Sequence, residues 1–509
     1  MYTELFAEQS IQFHSKNLDM NLFSLPENFI LSSNLKFGLL SFKAISSNLT
    51  NLEQDFIFQI DCSGSMSDIC EDGRTKMQHI IHTLKNMILY FKENPTLKVY
   101  ITIHAFDDTI YNIISRKIVN DNTYDEIISA INNITPRGCT NIEHALRDSK
   151  IYIENINTEY PNTIKTHIFM TDGQATAGSK DHNTLQELIE QTYTNIFIGF
   201  GLDHDAKLLN TISRGIKNNY YFIDKLENSG LVYGEILHGI VYKFLENIEI
   251  SINHGVIYDY KTNTWNTKLI IGDISSESNK FYHILSNTIY CNVQITGKKI
   301  DNNIYFIKYI PVQEELVDLT KYIYRQRTQQ ILYKINDYNN IEKYDEVIID
   351  DLEDNNDTTY ENNFSKLKNE LKLFFEELKQ YMTNNNLNDD ILLKNLCDDI
   401  YICHRTLGTQ LGNMFSIARG NSQGQQRAYH ANYVPNNNNT HSIHRATNRI
   451  YNYNDYNNYE MDENELEHEL LNSTHTPYRT QTMTQVMRSV TTGIVDFNDL
   501  ENTSTPVIY

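Results

Sequence analysis

Proline and glycine are scarce in this chain of 509 residues, at 8 and 20, which excludes a collagen-like rod or a proline-rich stalk. Basic residues are also in short supply. Forty-three Lys and Arg face 65 Asp and Glu, a formal charge of −22. That balance speaks against binding a nucleic-acid backbone, which needs a basic stripe to release counterions. It speaks equally against an anionic membrane surface. No run of about 18 apolar residues occurs, so no membrane span is expected. The start, Met-Tyr-Thr-Glu-Leu-Phe, lacks a basic segment followed by an apolar one, so no secretory signal is expected either. The six cysteines (62, 70, 139, 291, 397 and 403) form no CxxC pair. They are read as reduced thiols of an intracellular, cytoplasmic protein, without the Cys/His framework of a zinc module.

What is present suffices for folded cores: 40% hydrophobic residues, with 22 Phe and 34 Tyr. The length implies roughly two to four domains with linkers. From residue 55 onward, apolar strand-like runs alternate with helical periodicity. Asp55–Asp61, Leu97–Phe106, Thr166–Thr171, Asn195–Gly201 and Tyr220–Ile223 read as strands, and Thr109–Ile114 as an antiparallel edge. Helices are predicted at Arg74–Lys92, Tyr124–Ile134, Asn141–Asn155, Thr184–Thr192 and Leu231–Leu245, with Asp203 or Asp205 capping another. Strands apolar on both faces imply an α/β fold: a doubly wound, mainly parallel, Rossmann-like sheet covered on both sides.

Past residue 247 the period changes to two. Ile248–Ile252, Phe281–Leu285, Thr288–Thr296 and Ile304–Ile310 read as antiparallel strands, with Gly297-Lys-Lys in a turn. Together with Leu35–Ile45 they predict an adjoining β-sandwich into which the α/β unit is inserted. Residues 314–336 read as helical. The runs Phe364–Tyr381 and Leu393–Leu411, separated by the polar turn Thr383–Asn388, read as a helical hairpin. The expected organisation is 1–50 contributing to the sandwich, 51–246 α/β, 247–312 sandwich and 313–416 helical with an acidic linker. Residues 417–509 are expected to form a largely disordered tail, in which Thr476–Ser489 is read as linker rather than docking peptide.

Two distant stretches carry the chemistry. Asp61-Cys62-Ser63-Gly64-Ser65 follows one apolar strand and Thr171-Asp172-Gly173 follows another; Gly138-Cys139-Thr140 lies between them in sequence. In an open parallel sheet, ligands bind beyond the carboxyl ends of the strands, so these loops converge. Asp61, Ser63, Ser65, Thr140 and Asp172 then offer two carboxylates and three hydroxyls. Such hard, oxygen-only ligation suits Mg²⁺, or Mn²⁺, over zinc or copper. Five protein oxygens leave one position of an octahedral ion open. Two aspartates leave the ion electrophilic toward an outside carboxylate.

The arrangement resembles the metal-ion-dependent adhesion site of the von Willebrand factor A family. Asp61-x-Ser63-x-Ser65 matches its DxSxS motif, Thr140 its central threonine and Asp172 its late aspartate. The resemblance covers about residues 55–245 and extends to Phe200-Gly-Leu-Asp-His-Asp-Ala-Lys-Leu-Leu209 and Tyr220-Tyr-Phe-Ile-Asp224. It implies direct metal binding by Ser63, Ser65 and Thr140, and binding by the aspartates directly or through water. It also implies a protein partner presenting Asp or Glu, and no catalysis.

The leading expectation is therefore a Mg²⁺-dependent protein-binding scaffold, not an enzyme. The alternatives are a Mg²⁺-dependent hydrolase, with His104 or Asp107 near the motif, and an adaptor in ubiquitin transfer. Other features are weaker. Gly173-x4-Gly178-Ser179-Lys180 imitates a phosphate loop, but its Lys follows the hydroxyl residue. His79 and His82 read as helix surface, and Cys62 and Cys139 as buried small residues. Cys397 and Cys403-His404 have no second ligand pair nearby.

Overall fold

The structure, a computed structural model, describes residues 7–16, 35–44, 53–70, 73–201, 204–223, 229–288, 291–300, 305–310, 316–345, 357–428 and 476–492. Its centre is a six-stranded sheet built from β3 (Gln54–Asp61), β4 (Val99–Phe106), β5 (Ile110–Ile118), β6 (Ile164–Thr171), β7 (Thr194–Phe200) and β8 (Asn218–Ile223). The spatial order is β5-β4-β3-β6-β7-β8. All neighbours are parallel except β5, which pairs antiparallel with β4. Every residue of β3 is buried, as a strand covered on both faces must be. Phe56, Phe58 and Ile60 face one layer and Ile57 the other, following the period of two.

One layer consists of α1 (Lys76–Glu93), α2 (Tyr124–Asn132) and α6 (Ser229–Val241). The other holds α3 (Ile142–Glu159), α4 (His182–Gln186) and α5 (Ala206–Ile212). Local chemistry fixes the helix starts. Thr75 and Gln78 form a reciprocal capping box on α1, with Gln78 N to Thr75 Oγ1 at 3.2 Å and Thr75 N to Gln78 Oε1 at 2.8 Å. Asn141 caps α3, and Asp205 caps α5 by accepting from Leu208 N at 2.8 Å.

The α/β unit is inserted in a β-sandwich. One sheet runs β11-β10-β13-β2-β1-β16 and the other β12-β9-β14-β15. The first contains β1 (Ala7–His14), β2 (Lys36–Ala44), β10 (Gly255–Asp259), β11 (Thr264–Asn266), β13 (Asn279–Ser286) and β16 (Leu316–Val317). The second contains β9 (Lys243–Asn253), β12 (Lys268–Ser275), β14 (Asn292–Lys299) and β15 (Tyr305–Ile310). Ile11, Phe13, Leu40 and Phe42 meet Ile248, Ile250, Ile252 and Val293 between them. The strand expected at Leu35–Ile45 is β2, although Ile45 lies outside the described residues. β1, β10 to β12 and β16 lie outside the expected strands, and β16 falls in the stretch 314–336 read as helical, where the helix begins only at Thr320. Gly297-Lys-Lys, expected as a turn, belongs to β14, where Gly297 pairs with Phe306.

The C-terminal helices are α7 (Thr320–Asp345), α8 (Asp357–Asn384), α9 (Ile391–Thr406) and α10 (Gln410–Gln425). The α8–α9 hairpin closes over Leu367, Leu371, Phe374, Leu393, Leu396 and Ile400. The apolar run through Leu411 is broken by Gly408, at φ +78°. α10 packs Met414, Phe415 and Ile417 onto the α5 layer of the central sheet. A further helix, α11 (Gln481–Thr492), lies within the segment expected to be a disordered tail. Met483, Val486, Met487 and Val490 bury themselves among α1 and α6. Burial of this apolar stripe, spaced three and four apart, is what orders α11. It also explains why His82, read as surface, is buried: Asn86 Nδ2 binds both His82 Nε2 (3.1 Å) and Val490 O (2.8 Å). His79 is buried as well. Among the described residues no helix is long and apolar enough to cross a membrane.

Candidate functional site

The chain runs from β3 outward to β4 on one side and later to β6 on the other. The β3/β6 boundary is therefore the topological switch point of the sheet, where a crevice opens beyond the strand ends. Asp61 ends β3, and Asp172 directly follows β6. Backbone bonds draw the third loop to the same place. Gly64 N donates to Gly138 O at 3.2 Å, and Arg137 N to Cys62 O at 2.6 Å. Thr140 is held by its own N–H to Thr176 Oγ1 at 2.8 Å and by its carbonyl, which accepts from Thr176 N and Ala177 N. Gly138 has φ +67°, and a Cβ there would stand 2.8 Å from Asp107 Oδ2, so only glycine allows this approach.

The expected residues come together. Ser63 Oγ lies 3.1 Å from Ser65 Oγ, and Ser65 Oγ donates to Asp172 Oδ1 at 2.9 Å. Thr140 and Ser65 flank Gly173, their hydroxyls 3.7 and 3.9 Å from where its Cβ would be. Asp61 is fully buried and accepts from Thr171 Oγ1 at 2.6 Å and Ser63 N at 2.8 Å. Burial pushes its carboxyl up to about 6; the donors from Thr171 and Ser63 oppose that shift, and the nearby charge of Asp172 adds to it.

This donor set fits a small hard cation. Adjacent ligands of an octahedral ion with bonds of about 2.1 Å lie about 3.0 Å apart. The Ser63–Ser65 and Ser65–Asp172 separations of 3.1 and 2.9 Å are of that size. Among the described residues no group of three or more His, Cys, Asp or Glu stands ready for a softer metal.

One charged neighbour was missed by sequence reasoning. Lys76, at the start of α1, places Nζ 2.7 Å from Asp172 Oδ2 and 3.1 Å from Asp68 Oδ2. Burial disfavours its charge, but the two carboxylates outweigh that and hold the ammonium above its usual range. Nothing in the local sequence marks Lys76, because its partner Asp172 is 96 positions away.

The other candidates are accounted for elsewhere. His104 is buried and pairs with Asp148 at 2.7 Å. Asp107 accepts from Thr109 N and Oγ1 and from Tyr111 Oη, with Arg137 Nε at 3.5 Å. In the imitation phosphate loop, Ser179 N donates to Glu143 Oε2 at 2.7 Å, so a carboxylate already occupies the anion's place. Cys62 is buried as expected, its thiol pushed up to about 12 chiefly by burial, whereas Cys139 is exposed. Cys403 belongs to the apolar seam of α8 and α9.

Residues 55–234 match the family model described as von Willebrand factor type A domain. Two von Willebrand factor A domain-containing proteins of Dictyostelium discoideum are 29% and 28% identical over 223 residues, 43% of this chain. The match spans only 21% and 24% of their own lengths. Solved structures with similarity include the ArnB paralog VWA2 from Sulfolobus acidocaldarius (10% identity, 82% of this chain and 99% of that one, TM-score 0.47). Another is a von Willebrand factor type A protein from Catenulispora acidiphila (14% identity, 67% and 84%, TM-score 0.45). A third is proximal thread matrix protein 1 from the mussel byssus, with a zinc-occupied MIDAS motif (20% identity, 36% and 46%, TM-score 0.29). Residues 55–234 of this chain are a von Willebrand factor type A domain, set into a β-sandwich and flanked by a helical region.

Proposed function

We propose that the chain is an intracellular protein-binding scaffold that captures a partner through Mg²⁺, with Mn²⁺ able to substitute. Ser63, Ser65 and Thr140 hold the ion by their hydroxyls, and Asp172 and Asp61 hold it by carboxylate, directly or through water. The bound ion supplies a Lewis-acidic position for an Asp or Glu side chain of the partner. The observation that carries this reading is the 3.1 and 2.9 Å spacing of Ser63, Ser65 and Asp172 oxygens at the switch point of the sheet.

Two further facts support binding over hydrolysis. His104 and Asp107, the groups a hydrolase would call on here as general base, are both engaged by other side chains. The cysteines are free thiols, which suits a reducing compartment. The test is Mn²⁺ binding by the purified chain, followed by electron paramagnetic resonance, together with partner capture from native cells with and without EDTA. Asp61→Ala is expected to abolish both while leaving the circular dichroism spectrum unchanged. Partner capture that survives both the substitution and EDTA would overturn the reading. Phosphoester turnover with Mg²⁺ that is lost in Asp172→Asn would instead establish the hydrolase.

A further inference from the structure

A cavity of about 210 Å³ lies where the α/β domain, the sandwich and the C-terminal helices meet, away from the loops of Asp61 and Asp172. Six Lys and Arg side chains line it against three carboxylates, an excess of three positive charges inside a chain whose formal charge is −22. The carboxylates are already engaged. Asp273 pairs with Lys243 at 2.7 Å, Glu235 accepts from Ala428 N at 2.9 Å, and Asp259 accepts from Lys261 N at 2.9 Å.

Four of the cations, Lys261, Lys280, Arg325 and Arg427, have no carboxylate within 4.0 Å among the described residues. They lean on neutral oxygens instead. Lys280 Nζ donates to Gln425 O at 2.7 Å and Gln426 O at 3.1 Å, and Arg325 Nη2 to Gln423 O at 2.7 Å. Arg427 Nη2 donates to Gln425 Oε1 at 2.6 Å, and Lys261 Nζ to Gly215 O at 2.8 Å. The carbonyls at the end of α10 offset about half a charge through the helix dipole. They do not neutralise four cations. Arg325 is 2% exposed, and its Nε has no acceptor among the described residues. Enclosure pushes the Lys261 and Lys280 ammoniums down to about 8, against the opposing charge of Asp259 on the first and of Glu235 on the second. Buried charge of one sign is costly unless an opposite charge joins it.

We propose that this cavity binds a small anion carrying two or more phosphate groups, which ties the three parts of the chain together. One phosphate monoester supplies about −1.5 to −2 at neutral pH, so two phosphates are needed to balance the excess of three. Paired guanidiniums and ammoniums converging from separate segments match several phosphate oxygens at once. The volume takes a group the size of several water molecules.

The test uses the full chain in EDTA, which removes metal from the Asp61 site. Inorganic phosphate, pyrophosphate and tripolyphosphate are titrated at constant ionic strength and followed by calorimetry and thermal unfolding. Pyrophosphate and tripolyphosphate are expected to bind one per chain and to raise the midpoint, with phosphate at least tenfold weaker. Lys280→Gln and Lys261→Gln are each expected to weaken pyrophosphate tenfold or more, while Lys76→Met leaves it unchanged. The two lysine variants are independent, so failure of one to fold leaves the other to decide. Absence of binding by the wild-type chain would overturn the proposal, as would wild-type affinity in a folded lysine variant.

Discussion

Replacing Lys76 by methionine probes how the proposed cation site is balanced. Its ammonium stands 2.7 Å from Asp172 and 3.1 Å from Asp68, with the lysine side chain only 14% exposed. A divalent ion that takes Asp172 has to displace this ammonium or endure its repulsion. A hydrogen bond between charged groups is worth about 1.5–3 kcal/mol net. Each 1.4 kcal/mol is a factor of ten in affinity. Lys76→Met is therefore expected to tighten Mn²⁺ binding by roughly 10- to 100-fold, and Lys76→Arg to leave it within a few-fold of wild type. Isothermal titration or paramagnetic resonance on the purified full chain reads the change directly. Equal or weaker binding by Lys76→Met would refute the reasoning, because Asp172 would then not be shared between lysine and metal.

Thr140→Val keeps the shape of a side chain whose backbone is locked by Thr176, so Mn²⁺ affinity is expected to fall at least about tenfold without loss of the fold; unchanged affinity would remove Thr140 from the ligand set. A Cβ on Gly234 would stand 2.4 Å from Met487 Cα, so Gly234→Ala is expected to cost about 1–3 kcal/mol or release α11. Hydrogen exchange over 481–492 measures this, and undiminished protection counts against the docking described. His238 is fully buried with no hydrogen-bond partner for either ring nitrogen among the described residues, and burial pushes it down to about 4. The unfolded chain, with an ordinary histidine near 6.5, binds more protons between those values. The stability held by neutral His238 is therefore present above pH 6.5 and lost as pH falls toward 4. His238→Phe retains a ring to stack on Tyr242, and its stability relative to wild type should rise by about 2 kcal/mol from pH 6.5 to 5. Denaturant titrations giving a pH-independent difference would contradict that assignment.

Much of the α/β domain was legible because its signals are local. The apolar run Asp55–Asp61 ends in aspartate, Thr166–Thr171 is followed directly by one, and Asp205 carries its own capping geometry. The five candidate oxygen donors were legible for the same reason, since each sits at a strand end or in a loop whose position follows from the alternation of elements. What escaped was long-range. β1 pairs with β2 through the register Ile11 to Leu40, and no pattern within Ala7–His14 reports that partner. Met483, Val486, Met487 and Val490 have helical spacing, but the polar surroundings gave no sign that α1 and α6 leave a place for them. Cys139, expected to be buried, is exposed, because exposure depends on which loops cover it.

The amino-acid sequence alone determined that this chain would place two aspartates and two serine hydroxyls at the carboxyl ends of strands in a covered parallel sheet, with Thr140 in a loop that leads into a helix. Periodicity, capping and oxygen-donor chemistry are properties of neighbouring residues. Tertiary structure alone decided that Lys76 would meet Asp172, that α11 would close over α1 and α6, and that Lys261, Lys280, Arg325 and Arg427 would share one cavity. Those encounters join segments tens to hundreds of positions apart, and their energies depend on burial and distance, which exist only once the chain has folded.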